Sequence, residues 1–78
     1  TRLVLVEALL DAGRPGEALD AADRHLDAVP ASAVGHECRA VALARLGREP
    51  EAREAARRAL ELDPAAARAG RIAAGDAV

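Results

Sequence analysis

The 78-residue chain contains no Phe, Tyr, Trp or Met, and Cys38 is its one cysteine. Without aromatics it lacks the stacking platforms of single-strand binders and the anchors that carry most interface energy. A lone cysteine excludes an internal disulfide, and with it the even-numbered frameworks of small secreted domains. Lysine and asparagine are missing too, so every basic side chain is Arg. The formal net charge is -2, and a nucleic-acid binder would carry a basic excess on one face. Nucleic acid is therefore not an expected partner. The longest strongly apolar run lies within residues 3–10 and is broken by Glu7, against the roughly 20 residues a membrane span needs. Asp11, Gly13 and Arg14 follow it without a small-residue cleavage site, so it does not read as a signal peptide. No membrane association is expected, and a cytoplasmic setting is the default. Abundant Ala and Arg point to a high-G+C bacterial source.

Leu and Val, with the single Ile72, supply the large apolar residues, and much of the remaining apolar fraction is Ala. Burying a Leu or Val contributes roughly 1.5–3 kcal/mol, and burying an Ala far less. One small domain with a thin core is the expected result. Modest stability and the Thr1 start fit a piece of a longer protein. On its own, this piece is expected to unfold at modest temperature or to self-associate.

A shift of the chain against itself by about 34 residues, a helix-turn-helix repeat length, brings Ala8 and Leu9 onto Ala42 and Leu43, and Gly13 and Arg14 onto Gly47 and Arg48. It also brings Glu17 and Ala18 onto Glu51 and Ala52, Arg24 onto Arg58, Leu26 onto Leu60, and Pro30 onto Pro64. The matched Gly and Pro residues fall where a helical hairpin needs them. Gly13 and Gly47 suit the left-handed closure of a helix. Pro15 and Pro50 suit the first turn of the next, where Glu17, Glu49 and Glu51 add favourable negative charge. Pro30 and Pro64 end the second helices, and Ser32 is a plausible N-cap. Five helices are predicted, at about residues 3–12, 16–28, 33–46, 50–62 and 66–74, with no strand because the β-branched residues are few and never alternate over a sustained run. Ala18, Ala22 and Leu26, and again Ala52, Ala56 and Leu60, form narrow seams that allow close helix approach. Asp20 with Arg24, and Glu54 with Arg58, are spaced for i,i+4 pairing.

On these residues the chain resembles the tetratricopeptide repeat (TPR) family. Leu5, Leu9, Ala18 and Pro30 stand at its Leu, Tyr, Ala and Pro places, and Leu43, Ala52 and Pro64 repeat the pattern. The stretch Ala59, Leu60, Glu61, Leu62, Asp63, Pro64 is similar to the family's usual repeat ending. Arg2 and His36 replace Trp, Val6 and Ala40 replace Gly, Ala22 and Ala56 replace Phe, and His25 stands where a small residue is usual. The resemblance implies an all-α fold of stacked antiparallel helix-turn-helix hairpins, a TPR-like solenoid. Residues 1–32 are the first repeat, 33–66 the second, and 67–78 a capping or partial third-repeat helix.

The resemblance also implies a concave groove that binds a peptide or protein. Its lining would be Leu3, Glu7, Leu10 and Asp11 from the first repeat, Glu37, Val41, Ala44 and Arg45 from the second, and Arg71 from the last helix. Family members that clamp a C-terminal carboxylate use Lys and Asn there; this chain has neither, so no such clamp is expected. Nor is a metal, cofactor or catalytic residue. His36 and Cys38 are two apart on one helix and point apart, and zinc needs three or four ligands. Cys38 has no orienting group of the kind a nucleophile needs and reads as a small buried hydrophobe. His25 reads as a packed seam residue, and residues 13–16 as a turn rather than a phosphate loop. The leading functional expectation is a non-catalytic protein–protein interaction scaffold. The alternative is an accessory or oligomerisation module serving a larger bacterial enzyme or transcriptional regulator, with a neighbouring domain or a second copy as its partner.

Overall fold

The computed structural model describes residues 3–75. Thr1, Arg2 and residues 76–78 lie outside that span, including the Arg2 that occupies the tryptophan place. Five helices follow in order: α1 (Val4–Asp11), α2 (Pro15–Ala28), α3 (Ala33–Arg45), α4 (Glu49–Leu62) and α5 (Ala67–Ala73). Each begins and ends within two residues of its predicted bounds, because the stop and start signals are local.

Two turns share one hydrogen-bond pattern. Arg14 N–H donates to Leu9 C=O at 2.9 Å and Gly13 N–H to Leu10 C=O at 3.1 Å. Arg48 donates to Leu43 and Gly47 to Ala44 at the same two distances. This is the Schellman closure, with Gly13 at φ 74° and Gly47 at φ 78°. Each Gly sends the chain straight into a helix with Pro in its first turn. The other two turns match as well: Ser32 N–H donates to Val29 C=O, and Ala66 N–H to Asp63 C=O.

Consecutive helices pack together, and α1, α3 and α5 also line up as one layer, with α2 and α4 as the other. Among the described residues α2 and α4 make no close backbone approach, so the helices form an open stack rather than a closed bundle. Within it α3 touches all four other helices. Its Leu43, Val41 and Cys38 are the largest fully buried side chains. The seams are alanine: Ala18, Ala22, Ala52, Ala56 and Ala59 are buried. Small side chains let backbones close up, and the radius of gyration of 10.8 Å is close to the roughly 11 Å of a compact domain this long.

The intrahelical ion pairs differ from those predicted. Arg58 pairs with Glu61 at 3.3 Å, not with Glu54, and Arg14–Glu17 and Arg48–Glu51 are likewise i,i+3 pairs. The Asp20–Arg24 pair is not formed. Exposed pairs of either spacing differ little in energy, so local rotamers decide between them.

His25, the departure from a small residue, has a compensation across the seam. A Cβ added at Gly35 would lie 2.8 Å from His25 Cδ2 and 2.8 Å from Leu26 Cδ2. The second copy of the same pair is Ala59 with Ala69, both buried. One seam is therefore built large-against-none and the other small-against-small. His25 Nε2 also shares a 2.8 Å hydrogen bond with Ser32 Oγ, which caps α3 by accepting from Gly35 N–H at 3.1 Å.

Candidate interaction surface

The groove residues expected on α1, α3 and α5 fall into three groups. Leu10 and Val41 are core, at 2% and 0% exposure. They are corrected from groove lining to packing, because α3 is wrapped by its neighbours on this side as well. Leu3 and Ala44 are half-buried against the same core. Glu7, Glu37 and Arg45 are bonded within the molecule, Arg45 while remaining exposed, and Asp11 and Arg71 stand exposed as well.

Arg68 organises the engaged group. From the first turn of α5 it reaches over α3 and grips the α1 carboxylate of Glu7 in bidentate fashion. Its Nη1 donates to Oε1 and its Nη2 to Oε2, both at 2.9 Å. Nη2 also lies 3.5 Å from Glu37 Oε1 on α3 and 4.0 Å from Cys38 Sγ. One guanidinium thus joins all three helices of the layer. Its hydrogen bonds to Glu7 hold it protonated more firmly than an ordinary arginine, against the opposing effect of burial. Burial, reinforced by the charge of Glu7, pushes the Cys38 thiol up to about 11. Such a thiol is a poor nucleophile at neutral pH, which fits a packing residue.

Glu37 has a second duty. Ala66, the N-cap of α5, has no side chain to cap with, whereas Ser32 caps α3. Glu37 Oε2 accepts from Ala69 N–H at 3.3 Å, at the same third position of the helix that Ser32 serves in α3. The neighbouring helix supplies the cap that the local sequence lacks. Arg45 Nη1, from α3, donates to Leu10 C=O of α1 at 2.7 Å. Glu7, Glu37 and Arg45 of the expected groove are thus each bonded to another helix of the layer.

What stays open is a cleft of about 620 Å³ beside Glu37, where the two inter-hairpin turns converge. Val29, Ala33, Val34 and Ala66 give it an apolar floor, and Glu37 and Asp63 an acidic rim; His25 and Ser32 complete one end. Val29 is nearly half exposed. Asp63 Oδ1 accepts from Ala65 N–H at 3.0 Å, which fixes the carboxylate on an exposed turn. Val29, Asp63 and Ala66 were not singled out from the sequence. The available signal was that both turns, 29–32 and 63–66, recur at the repeat period.

Residues 33–66 match the tetratricopeptide repeat family. The match covers one repeat, 34 of the 78 residues. No curated protein and no solved structure matches the chain. The matched segment contains α3, α4 and the turn 63–66 on one side of the cleft, while the turn 29–32 on the other side ends just before it, and Arg68 and Glu7 flank it on either side. Repeats of this family are protein-interaction modules. Among the described residues no group of three His, Cys, Asp or Glu side chains could hold a metal ion. No helix there is long and apolar enough to cross a membrane.

Proposed function

We propose that the chain is a non-catalytic interaction module that takes a short extended segment of a protein partner into the cleft between its two inter-hairpin turns. The observation that supports this reading is the division of the concave side. Most of its expected lining is packed or bonded within the chain, with Asp11 and Arg71 left exposed, and the cleft beside it combines an apolar floor with a fixed acidic rim. Small apolar side chains of the segment would cover Val29, Val34 and Ala66. An adjacent Arg or Lys would meet Asp63 and the Glu37 side of the rim. Little of Glu37 remains exposed, so Asp63 is the main charge contact. With no aromatic anchor in the cleft, affinity is modest, a Kd of about 10–100 µM.

Fluorescence anisotropy with a dye-labelled hexapeptide of alternating Val and Arg tests this, with a Val–Glu hexapeptide as the opposite-charge control. Val–Arg should bind, and Asp63→Lys combined with Val29→Glu should weaken it at least fivefold. Asp11→Lys and Arg71→Glu should not alter it. Equal binding of the Val–Glu peptide, or an unchanged Kd in the Asp63 variant, would remove the cleft from consideration.

A further inference from the structure

Glu37 stands on the border between two parts of the molecule. Ala33 and Val34, one turn before it on α3, share its face of the helix and line the cleft with it. Its carboxylate is nonetheless held from α5. Oε1 lies 3.5 Å from Arg68 Nη2, and Oε2 accepts from Ala69 N–H at 3.3 Å. Both contacts are long for bonds that involve a charge, which run about 2.7–2.9 Å. Arg68 makes its short bonds, both 2.9 Å, to Glu7 instead. Glu37 is thus the loosest-held carboxylate of the cluster, and it alone among Glu7, Glu37, Cys38 and Arg68 lines the cleft.

On the cleft reading above, on which this rests, we propose that Arg68 competes with the cation of a bound segment for Glu37. Glu7, by holding Arg68, sets how far Glu37 is free to serve the cleft. A guanidinium or ammonium seated beside Asp63 draws the Glu37 carboxylate toward the rim, and its two contacts to α5 lapse. Arg68 keeps its bidentate bond to Glu7, so its charge stays paired. Ala69 N–H loses its acceptor, and Ala66, the N-cap of α5, has no side chain to replace it. Occupancy of the cleft therefore loosens the first turn of α5, and by linkage whatever frees Glu37 from α5 tightens the cleft. Arg68 and Glu7 are positioning residues. Neither lines the cleft, and they act on it with opposite sign. Removing the Arg68 guanidinium releases Glu37. Removing the charge of Glu7 leaves Arg68 to turn to Glu37 and hold it back. A part-exposed ion pair contributes little, so each effect is about two- to fivefold in affinity.

Anisotropy with the Val–Arg hexapeptide, on proteins of parental helicity by circular dichroism, reads both signs. Arg68→Gln should bind about threefold more tightly than the parent, and Glu7→Gln about twofold more weakly. In a Glu37→Gln background Arg68→Gln should have no such effect. General loosening of the fold would weaken binding in both single variants, so tighter binding by Arg68→Gln is the mark of competition. A second readout needs no variant. On the unaltered chain, saturating peptide should speed amide exchange of Ala69, followed by NMR, against the slowing that binding produces elsewhere. Binding that depends on Asp63 but leaves Ala69 exchange unchanged or slower overturns the competition and spares the cleft. So does binding that Arg68→Gln leaves unmoved or weakens. Absence of binding in both the parent and Arg68→Gln removes the cleft and the competition together.

Discussion

The pairing of His25 with Gly35 makes the sharpest prediction, because it reverses the usual sign of a substitution. Replacing Gly by Ala inside a helix normally stabilises by about 0.5–1 kcal/mol. At Gly35 the new methyl would meet His25 Cδ2 and Leu26 Cδ2, each at 2.8 Å, and Ser32 Oγ at 3.1 Å. Leu26 can rotate aside. The imidazole is tied to Ser32, and Ser32 to the Gly35 amide, so relief on that side disturbs the cap of α3. Overpacking of this kind costs about 1–3 kcal/mol. Set against the propensity gain, Gly35→Ala should destabilise by about 1 kcal/mol. His25→Ala alone should also destabilise, by about 1–2 kcal/mol, through lost packing and the lost bond to Ser32. Combined, the two reproduce the Ala59–Ala69 arrangement of the next seam. There the methyl at 35 fills space rather than clashing, and the double variant should be at least as stable as His25→Ala alone. Urea denaturation followed at 222 nm across the four proteins gives the coupling energy, expected at about 1–2 kcal/mol. Additive effects, or a Gly35→Ala protein more stable than its parent, would refute the account of the seam.

Arg68→Leu removes the clasp between α1 and α5 and leaves Glu7 and Glu37 partly buried. Global stability should fall by about 1–3 kcal/mol, with hydrogen exchange of α5 amides accelerating first. The Arg68→Lys protein should recover less than half of the loss, since an ammonium cannot make the bidentate contact. Ser32→Ala removes the cap of α3 and should cost about 1 kcal/mol, measurable by the same urea titration. Cys38 makes a prediction about pH. Its ordinary value is 9.0 and its folded value about 11, so across that window the unfolded chain releases a proton that the folded chain keeps. Stability should therefore fall as pH rises from about 9 to 11, by about 2 kcal/mol in all. With no Lys or Tyr in the chain, little else titrates there, and Cys38→Ala should flatten the slope; an equally steep decline in that variant would contradict the assignment.

Sequence alone determined the helices, their turns and their period. Gly13, Gly47, Pro15, Pro50, Pro30 and Pro64 act on the backbone within a few residues of themselves, so their effects are legible without a fold. Ser32 is legible for the same reason. Burial was only partly so. The alanine seams were evident from helical spacing. That Leu10 and Val41 face inward was not, because it depends on how far α1 and α5 curl around α3. The family pattern assigned Glu7, Glu37 and Arg45 to a ligand groove by position in the repeat, but position does not reveal what lies opposite. Glu7 and Arg68 are separated by 61 residues, and no spacing rule links them. Only the tertiary structure brings the arginine across α3, lends Glu37 to the uncapped start of α5, and leaves the cleft at Val29, Val34 and Asp63 as the open surface. Local chemistry sets where a chain turns; which side chains then meet is decided by the packing of helices remote in sequence.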